Sequence, residues 1–385
     1  MEESSRLSEK LYESTSVEVD TDSEPLVSNY SGQYFLFLIP MEWIYISDGG
    51  RALKPSNGPT ECAFLLLNTM IGSGILLQAH VFMKSGILWT TMEYIVVGFA
   101  SWLSVKLMIE MSAIHNVYDY TGLCDKVFGA RGSRAADAGI VFAQGGSLIS
   151  YVLVIGLLFA EVVKQCSDWY CNQSFLAILS LTVVTVPLCL IRNFGHLVVA
   201  SVISVVVISS LILLVVVGGP MEDNSGSGQY KLASPVEGLK NIGAVVFALE
   251  YVVGVYFVYN SMKVRNKDEF TIITAKTSIF GCLLCYIVGL AGYLSFRTDT
   301  EVIILQNFDG PVGGLFKFCV AVHLLLFFPG ELNILRVSFL KLCDVDMETQ
   351  SNASFSAVTA GLLVFFLGLG VILQNVSSDS LLLVL

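Results

Sequence analysis

The sequence predicts an all-helical integral membrane protein, and three observations support this fold class. Of the 385 residues, 54% are hydrophobic and only 14% are charged, and the mean hydropathy is +0.72, which is too apolar for a soluble domain. The apolar residues fall into stretches of the length that a helix needs to cross a bilayer, about 20 residues. Polar residues and glycines interrupt two of these stretches.

We predict about nine transmembrane spans from the apolar stretches. They lie at 62–82, 86–111, 138–163, 175–191, 197–219, 241–262, 270–296, 312–334 and 355–373.

The regions that flank the spans have a different composition. Residues 1–30 are rich in Ser and Glu and lack the apolar mass to fold, so we predict a disordered, acidic cytoplasmic tail. Residues 31–59 form a linker in which an aromatic stretch either lies in the membrane interface or is foreign to the transmembrane domain. That domain is assigned to residues 60–376. Residues 377–385 resemble the truncated start of a further helix, with the C-terminal helices missing.

Basic residues predict the orientation. With the N-terminus in the cytoplasm, the outer loops hold only Lys84, Lys164, Lys231, Lys240 and Arg297. The inner side holds more: Arg51, Lys54, Lys126, Arg131, Arg134, Arg192, Lys263, Arg265, Lys267, Arg336 and Lys341. This asymmetry is the one that the positive-inside rule describes. The net charge of −11 argues against nucleic acid as a partner.

The first span carries a polar residue and two glycines in Asn68-Thr-Met-Ile-Gly-Ser-Gly-Ile-Leu76. Lipid cannot satisfy bare backbone groups, so a non-helical segment at this depth persists only inside protein or along a watery cavity. A helix opened at Gly72, Ser73 and Gly74 offers amides to an anion and carbonyls to a cation. The alternative is that the glycines only allow a neighbouring helix to pack closely.

A similar interruption occurs in the sixth span, where Glu250 and Gly254 lie within an apolar helix. Breaks in the first helix of each half are typical of an inverted five-helix repeat.

Three of the ionisable residues within predicted spans are weighed as candidates for function. Glu250 is the strongest candidate for a cavity or a proton relay, because a carboxylate at the bilayer midplane is costly; its alternative is a protonated acid that hydrogen-bonds a neighbouring helix. Glu331 is interpreted as a structural or paired residue. His323 is interpreted as a packing residue, with a proton path as the alternative.

An ordered set of motifs resembles the amino acid/auxin permease family, in its branch of sodium-coupled neutral and vacuolar amino acid transporters. The set covers about residues 60–376 and comprises Asn68 to Leu76 with Lys84-Ser-Gly86, Pro187-Leu-Cys-Leu-Ile-Arg192 to Ser204, Phe247-Ala248 to Tyr259-Asn260-Ser261, Gly289-x-x-Gly292-Tyr293-Leu-Ser-Phe296, and Pro329-Gly-Glu331 to Leu335-Arg336.

This resemblance implies a leucine-transporter-like fold, with substrate held where helices one and six unwind. Gly72, Ser73 and Gly74 are then expected to meet the substrate carboxylate through backbone amides. Glu250 and Gly254, at the second break, are the other candidates for substrate binding. Asn68 is expected at the cation position. Partial positive charge at a half-helix N-terminus suits a carboxylate.

The sequence also departs from that family. Ala79 and His80 replace a proline or serine followed by tyrosine, and Glu250-Tyr-Val-Val-Gly254 replaces a polar, histidine-bearing run. The eighth helix reads His323-Leu-Leu-Leu-Phe-Phe328 where sodium-coupled members offer hydroxyls. We therefore expect protons as the coupling ion, through Glu250 with His323, and sodium at Asn68 as the alternative. No cofactor or structural metal is expected.

The predicted function is secondary active transport of small or medium-sized neutral amino acids by alternating access. The partners are the amino acid and membrane lipid, and the membrane is the plasma membrane or a vacuole- or lysosome-type membrane. A non-transporting amino-acid sensor of the same fold and an inactive truncated isoform remain alternatives. No enzyme is predicted, because no nucleophile, base or metal constellation is present.

Overall fold

The computed structural model describes residues 57–166, 172–190, 197–222, 228–345 and 351–376. The predicted acidic tail at 1–30, most of the linker at 31–59 and residues 377–385 lie outside these described residues. Within them the backbone is helical, apart from connections and one isolated β-bridge between Asn57 and Met262. The α-helices are α1 (Pro59–Met70), α2 (Gln78–Ser85), α3 (Ile87–His115), α4 (Tyr120–Cys166), α5 (Gln173–Ser180), α6 (Val186–Cys189), α7 (Leu197–Leu213), α8 (Pro235–Leu249), α9 (Val255–Ser261), α10 (Lys267–Phe296), α11 (Gly310–Leu342) and α12 (Asn352–Val376).

The lengths and compositions of these helices match the predicted spans. Six spans are long and apolar enough to cross a membrane: Ile87–His115, Tyr120–Gln165, Pro235–Ser261, Lys267–Asp299, Gly310–Leu342 and Asn352–Gln374. A seventh consists of Pro59–Met70 and Ser73–Ser85, bent by 50°. Two shorter apolar helices cover Gln173–Cys189 and Val206–Met221. Each predicted span overlaps one of these segments, and the exact number of crossings stays a prediction.

Helix α4 is much longer than the predicted span at 138–163. It begins at Tyr120, and the non-helical residue Gly129 (φ 70°, ψ −174°) divides it into two helical parts; its φ lies in the region that favours glycine. Both parts include charged residues between 120 and 137, which lie outside the predicted apolar span. Hydropathy marks the apolar part of a helix, so it does not show that the helix continues into a neighbouring charged stretch.

Helices α4 and α11 form the most extensive helix pair among the described residues and lie at the centre of the bundle. Pro329 lies within α11 and has no N–H to donate to the carbonyl four residues earlier. That carbonyl, of Leu325, accepts a hydrogen bond of 3.2 Å from Thr185 Oγ1 instead. The neighbouring helix segment thus satisfies the backbone group that the proline leaves free, as a membrane interior requires.

At one end of the bundle, the segment from Arg297 to Phe308 packs over α2. His80 Nδ1 lies 3.4 Å from the carbonyl oxygen of Thr300. Ile304 is fully buried, and it lies where Gly292 of α10 packs closely against Ala79 of α2. This segment therefore covers the end of the bundle at which the second half of the first broken span terminates.

A buried ion pair ties the same segment to the central helices. Lys317 Nζ of α11 lies 2.8 Å from Glu161 Oε2 of α4. Gln306 of the covering segment donates a hydrogen bond of 2.8 Å to the other carboxylate oxygen of Glu161. Helix α4, helix α11 and the covering segment are thus joined through one carboxylate.

Candidate functional site

The first span is broken where the sequence places its glycines. Helix α1 ends at Met70, and Gly72 adopts an extended conformation (φ −101°, ψ −151°). A 3₁₀ turn from Ser73 to Leu77 then leads into α2. Glycine is a poor helix former because it has the most conformational freedom to lose, so the break falls at the residues where helix is least stable.

Side chains from other helices hold this break. Ser73 Oγ and Ser150 Oγ of α4 share a hydrogen bond of 3.0 Å. Gln78 Nε2 donates to the carbonyl oxygens of Gly74, at 2.8 Å, and Ala244, at 3.1 Å. Tyr94 completes the arrangement by donating to Gln78 Oε1 at 2.7 Å. The Gly74 carbonyl therefore has a protein partner, and the two broken spans are linked through Gln78.

The second break lies between α8 and α9. Glu250 is extended (φ −82°, ψ 128°), Tyr251 is also non-helical, and a 3₁₀ turn of residues 252–254 precedes α9. Ser101 Oγ donates a hydrogen bond of 2.8 Å to the last carbonyl of α8, at Leu249. The Glu250 carboxylate accepts hydrogen bonds from the backbone N–H groups of Val252 and Val253. The acidic side chain thus caps the start of the second half-helix.

Two glycines allow the breaks to approach each other. A Cβ at Gly74 would lie 2.9 Å from both Ala248 Cα and Phe247 Cδ1 of α8. A Cβ at Gly254 would lie 2.9 Å from the Thr69 methyl carbon of α1. These distances are shorter than an ordinary carbon contact of about 3.5 Å. Gly74 therefore packs closely against α8, and Gly254 combines close packing with a place at the cavity.

A cavity that is partly open to solvent lies between the two breaks. The lining comes from both broken spans, from α4 and from α11: Thr69, Met70, Gly72, Gln144, Ser147, Tyr151, Phe247, Glu250, Tyr251, Val253, Gly254, Glu331 and Ile334.

The charged side chains of this lining are all acidic. Glu250 and Glu331 both face the cavity and interact electrostatically, and no Lys or Arg occurs among its described lining residues. Polar groups without charge come from Gln144, Ser147 and Tyr151. The cavity therefore offers acceptors to a positively charged group and has no basic side chain for an acidic one.

The predicted site residues separate into two groups. Gly72, Glu250 and Gly254 line the cavity, whereas Ser73 and Gly74 are buried behind it. Asn68 is also buried, one residue before the lining residue Thr69.

His323 lies apart from the cavity lining. Its Nδ1 is 2.8 Å from Ser204 Oγ of α7, and its ring stacks on Phe327 at a centroid distance of 6.0 Å. These contacts are of the kind that a packing residue makes.

A second cavity lies beside the first, and Val253 and Ile334 line both. It extends to Asp119 and Lys341, which form an ion pair of 3.2 Å. Lys341 also donates a hydrogen bond of 2.7 Å to Thr121. This end of the bundle lies opposite the covering segment at 297–308, so the second cavity lies between the breaks and the end of the bundle that carries Asp119 and Lys341.

Comparison with known proteins then decides the family. Residues 56–378 match the model of the transmembrane amino acid transporter protein family, which is most of the chain. The chain belongs to this family of amino acid transporters. As a member of it, the chain is a multi-pass membrane protein and not an enzyme.

Relatives of this chain include vacuolar and plant proteins. It is 24% identical over 288 residues to vacuolar amino acid transporter 2 of Saccharomyces cerevisiae, covering 70% of this chain and 59% of the yeast protein. It is 25% identical over 355 residues to amino acid transporter AVT6B of Arabidopsis thaliana, covering 84% of this chain and 77% of the plant protein. The chain thus spans less than two thirds of the length of the yeast relative.

Solved structures of similar fold support the predicted fold class. A Na⁺-coupled sialic acid symporter in a substrate-bound, outward-open state matches with a TM-score of 0.57 at 11% identity, covering 84% of this transporter and 74% of that chain. MhsT in complex with L-phenylalanine matches with a TM-score of 0.53 at 14% identity, covering 84% and 80%. The predicted leucine-transporter-like helical fold is confirmed.

Sequence reasoning missed the contribution of α4 and underrated Glu331. Gln144, Ser147 and Tyr151 line the cavity at spacings of three and four residues, which places them on one face of a helix. This polar stripe within an apolar span is a signal that the sequence contains. For Glu331, the distance of five residues from Arg336 suggested a pair. In the structure, Arg336 instead donates to Thr359 of α12 and lies over the Phe355 ring.

Proposed function

We propose that this transporter carries small or medium-sized neutral amino acids by secondary active transport, with alternating access around its two broken spans. The observation that carries the proposal is the cavity that both breaks line. Non-helical backbone at membrane depth, enclosed by protein and facing a cavity, is typical of transporter substrate sites.

The chemistry of the lining favours a zwitterion. We infer that the substrate carboxylate lies toward Gly72, at the N-terminal end of the half-helix that begins with Ser73, where backbone amides and the helix dipole favour an anion. The substrate ammonium then lies toward Glu250 and Glu331. Phe247 and Tyr251 are left to contact an apolar side chain. The lack of a basic side chain in the described lining disfavours dicarboxylic substrates.

A second candidate is a cationic amino acid, because Glu331 joins Glu250 in the same cavity. The two candidates differ in a competition assay. Unlabelled neutral, cationic and dicarboxylic amino acids are added to proteoliposomes that take up a labelled neutral amino acid. Displacement by neutral amino acids supports the proposal, displacement by cationic ones alone favours the second candidate, and displacement by dicarboxylic ones alone refutes both.

We further propose that protons, not sodium, drive transport. A sodium site needs several oxygen ligands in a fixed arrangement. Residues 324–328 of α11 are Leu, Leu, Leu, Phe and Phe, which supply no side-chain oxygen, whereas Glu250 is a titratable group at the break. Names of the relatives include both sodium-coupled neutral and vacuolar transporters, and the residues of this chain favour the proton.

The test uses proteoliposomes that contain the full chain, assayed with and without a sodium gradient and with and without a pH gradient. We expect uptake to follow the pH gradient and to persist when choline replaces sodium. Glu250→Gln is expected to lose the pH response and to keep part of the substrate binding. Glu110→Gln is the matched control, because Glu110 pairs with Lys106 on the half-exposed face of α3. Uptake that follows sodium and ignores pH would refute proton coupling.

The same preparation addresses orientation and the sensor alternative. We propose a cytoplasmic N-terminus, which places Asp119 and Lys341 at the cytoplasmic mouth of the second cavity, in a plasma or vacuolar membrane. Binding of a labelled amino acid without any uptake or exchange would instead support a non-transporting sensor.

A further inference from the structure

The cavity contains a second carboxylate whose surroundings differ from those of Glu250. Glu331 is only 8% exposed and lines the cavity from α11, next to the proline that frees the Leu325 carbonyl. Glu250 accepts hydrogen bonds from two backbone amides. Among the described residues, none donates a hydrogen bond to the carboxyl group of Glu331.

An independent observation concerns a second acceptor in the cavity wall. Gln144 of α4 also lines it and is 5% exposed, and its Oε1 atom has no hydrogen-bond partner among the described residues. A buried acceptor without a donor costs about 1–3 kcal/mol, so such groups usually meet a ligand, a proton carrier or water. The acceptors Gln144 Oε1, Glu250 and Glu331 thus face the same space.

Within the part of the chain that the structure describes, the other titratable groups that line the cavity carry no positive charge. Helix α4 contributes Tyr151 beside both carboxylates and Tyr120 near Glu250. Tyr251 of the second break lines the cavity, and its hydroxyl group bonds Ser278 of α10. The described lining residues from α1 and the first break are Thr69, Met70 and Gly72, which do not titrate.

We propose that Glu250 and Glu331 form a carboxylate pair that holds one exchangeable proton, with Glu250 ionised and Glu331 protonated. Two ionised carboxylates that line one partly enclosed cavity repel each other, and a shared proton removes that repulsion. The amides of Val252 and Val253 stabilise the charge on Glu250. The proton therefore resides on Glu331, the partner without donors, and the Glu331 O–H group can donate a hydrogen bond to an acceptor such as Gln144 Oε1.

The location of Glu331 gives the proton an exit. Ile334 lies one helical turn beyond it in α11 and lines both cavities. Loss of the proton breaks only the O–H bond of the Glu331 carboxyl group, and the proton passes to water in the second cavity. This inference rests on the proposed transport function for its purpose, but the proton pair itself is a property of the protein at equilibrium.

Infrared titration of the purified full chain in detergent tests the pair without any transport. We expect a carboxylic acid C=O band that persists to a pH at which solvated carboxyl groups are ionised. Glu93 and Asp137 are also buried, so the band is assigned from differences between variants. Glu331→Gln should abolish the component of the pair. Glu250→Gln should shift its titration to lower pH, because the neighbouring charge is gone.

Two further variants make the result specific. Glu331→Asp keeps a carboxyl group and should restore a titrating band at an altered frequency. Glu110→Gln should leave the spectrum unchanged. An unaltered band in Glu331→Gln, or a Glu331 component that titrates identically with and without Glu250, would overturn the proposal.

A transport measurement separates this inference from the proposed function. In proteoliposomes, Glu331→Gln should lose accumulation driven by a pH gradient and retain exchange of internal for external substrate, which requires no net proton movement. If the wild-type chain shows no uptake or exchange, the proposed function fails while the infrared result still decides the proton pair.

Discussion

The packing of Gly74 against α8 leads to a quantitative prediction for Gly74→Ala. The added Cβ would lie 2.9 Å from Ala248 Cα and from Phe247 Cδ1. Carbon atoms in contact are normally at least about 3.5 Å apart, so the first break and α8 must separate by about 0.6 Å. Ala248 contributes backbone at this contact and cannot move away as a flexible side chain would.

The expected cost is about 1–3 kcal/mol, the range for an overpacked interior site. The ratio of folded to unfolded protein then falls by about 5-fold to 150-fold. The separation also strains the bonds from Gln78 to the carbonyls of Gly74 and Ala244. The assay is equilibrium unfolding in mixed SDS and non-ionic micelles, followed by tryptophan fluorescence.

Gly361→Ala provides the matched control. Gly361 lies in α12, and a Cβ there would meet no atom within 4 Å. Alanine in a helix interior is favoured over glycine by about 0.5–1 kcal/mol, so this variant should be neutral or slightly stabilised. If Gly74→Ala unfolds at the same SDS fraction as Gly361→Ala, the close packing of the two broken spans is not what holds them together.

Two further predictions concern the ion pair between α4 and α11 and the wall of the cavity. Lys317→Met leaves the Glu161 carboxylate, which is 23% exposed, with its hydrogen bond from Gln306 but without its ion pair. We expect a loss of about 1–3 kcal/mol in the same unfolding assay, which the double variant with Glu161→Gln should largely restore. Equal stability of the single and double variants would contradict this. Gly72→Ala places a Cβ 2.9 Å from Tyr151 Oη in the cavity wall. Substrate affinity should therefore fall about tenfold or more, with little change in stability. An unchanged Kd for the transported amino acid would contradict this prediction.

Sequence reasoning predicted some features of the site and missed others. The breaks follow from local chemistry, since Gly72 and Gly74 are weak helix formers and Glu250 interrupts an apolar helix. The roles of Ser73 and Gly74 were not predictable in the same way, because whether a residue faces the cavity or a neighbouring helix depends on the rotation of each half-helix after the bend of 50°. The same holds for His323, which lies against Ser204 instead of the cavity.

The sequence by itself determined that this protein is helical, that it lies in a membrane and that two of its spans are interrupted, because the length of apolar stretches and the helix propensity of glycine are local properties. Only the tertiary structure decided which polar groups meet. Glu250 and Glu331 are distant in the chain, and they share a cavity because α11 packs against α4 beside the second break. Their pairing depends on helix packing across the bundle, and no local pattern of residues encodes that packing.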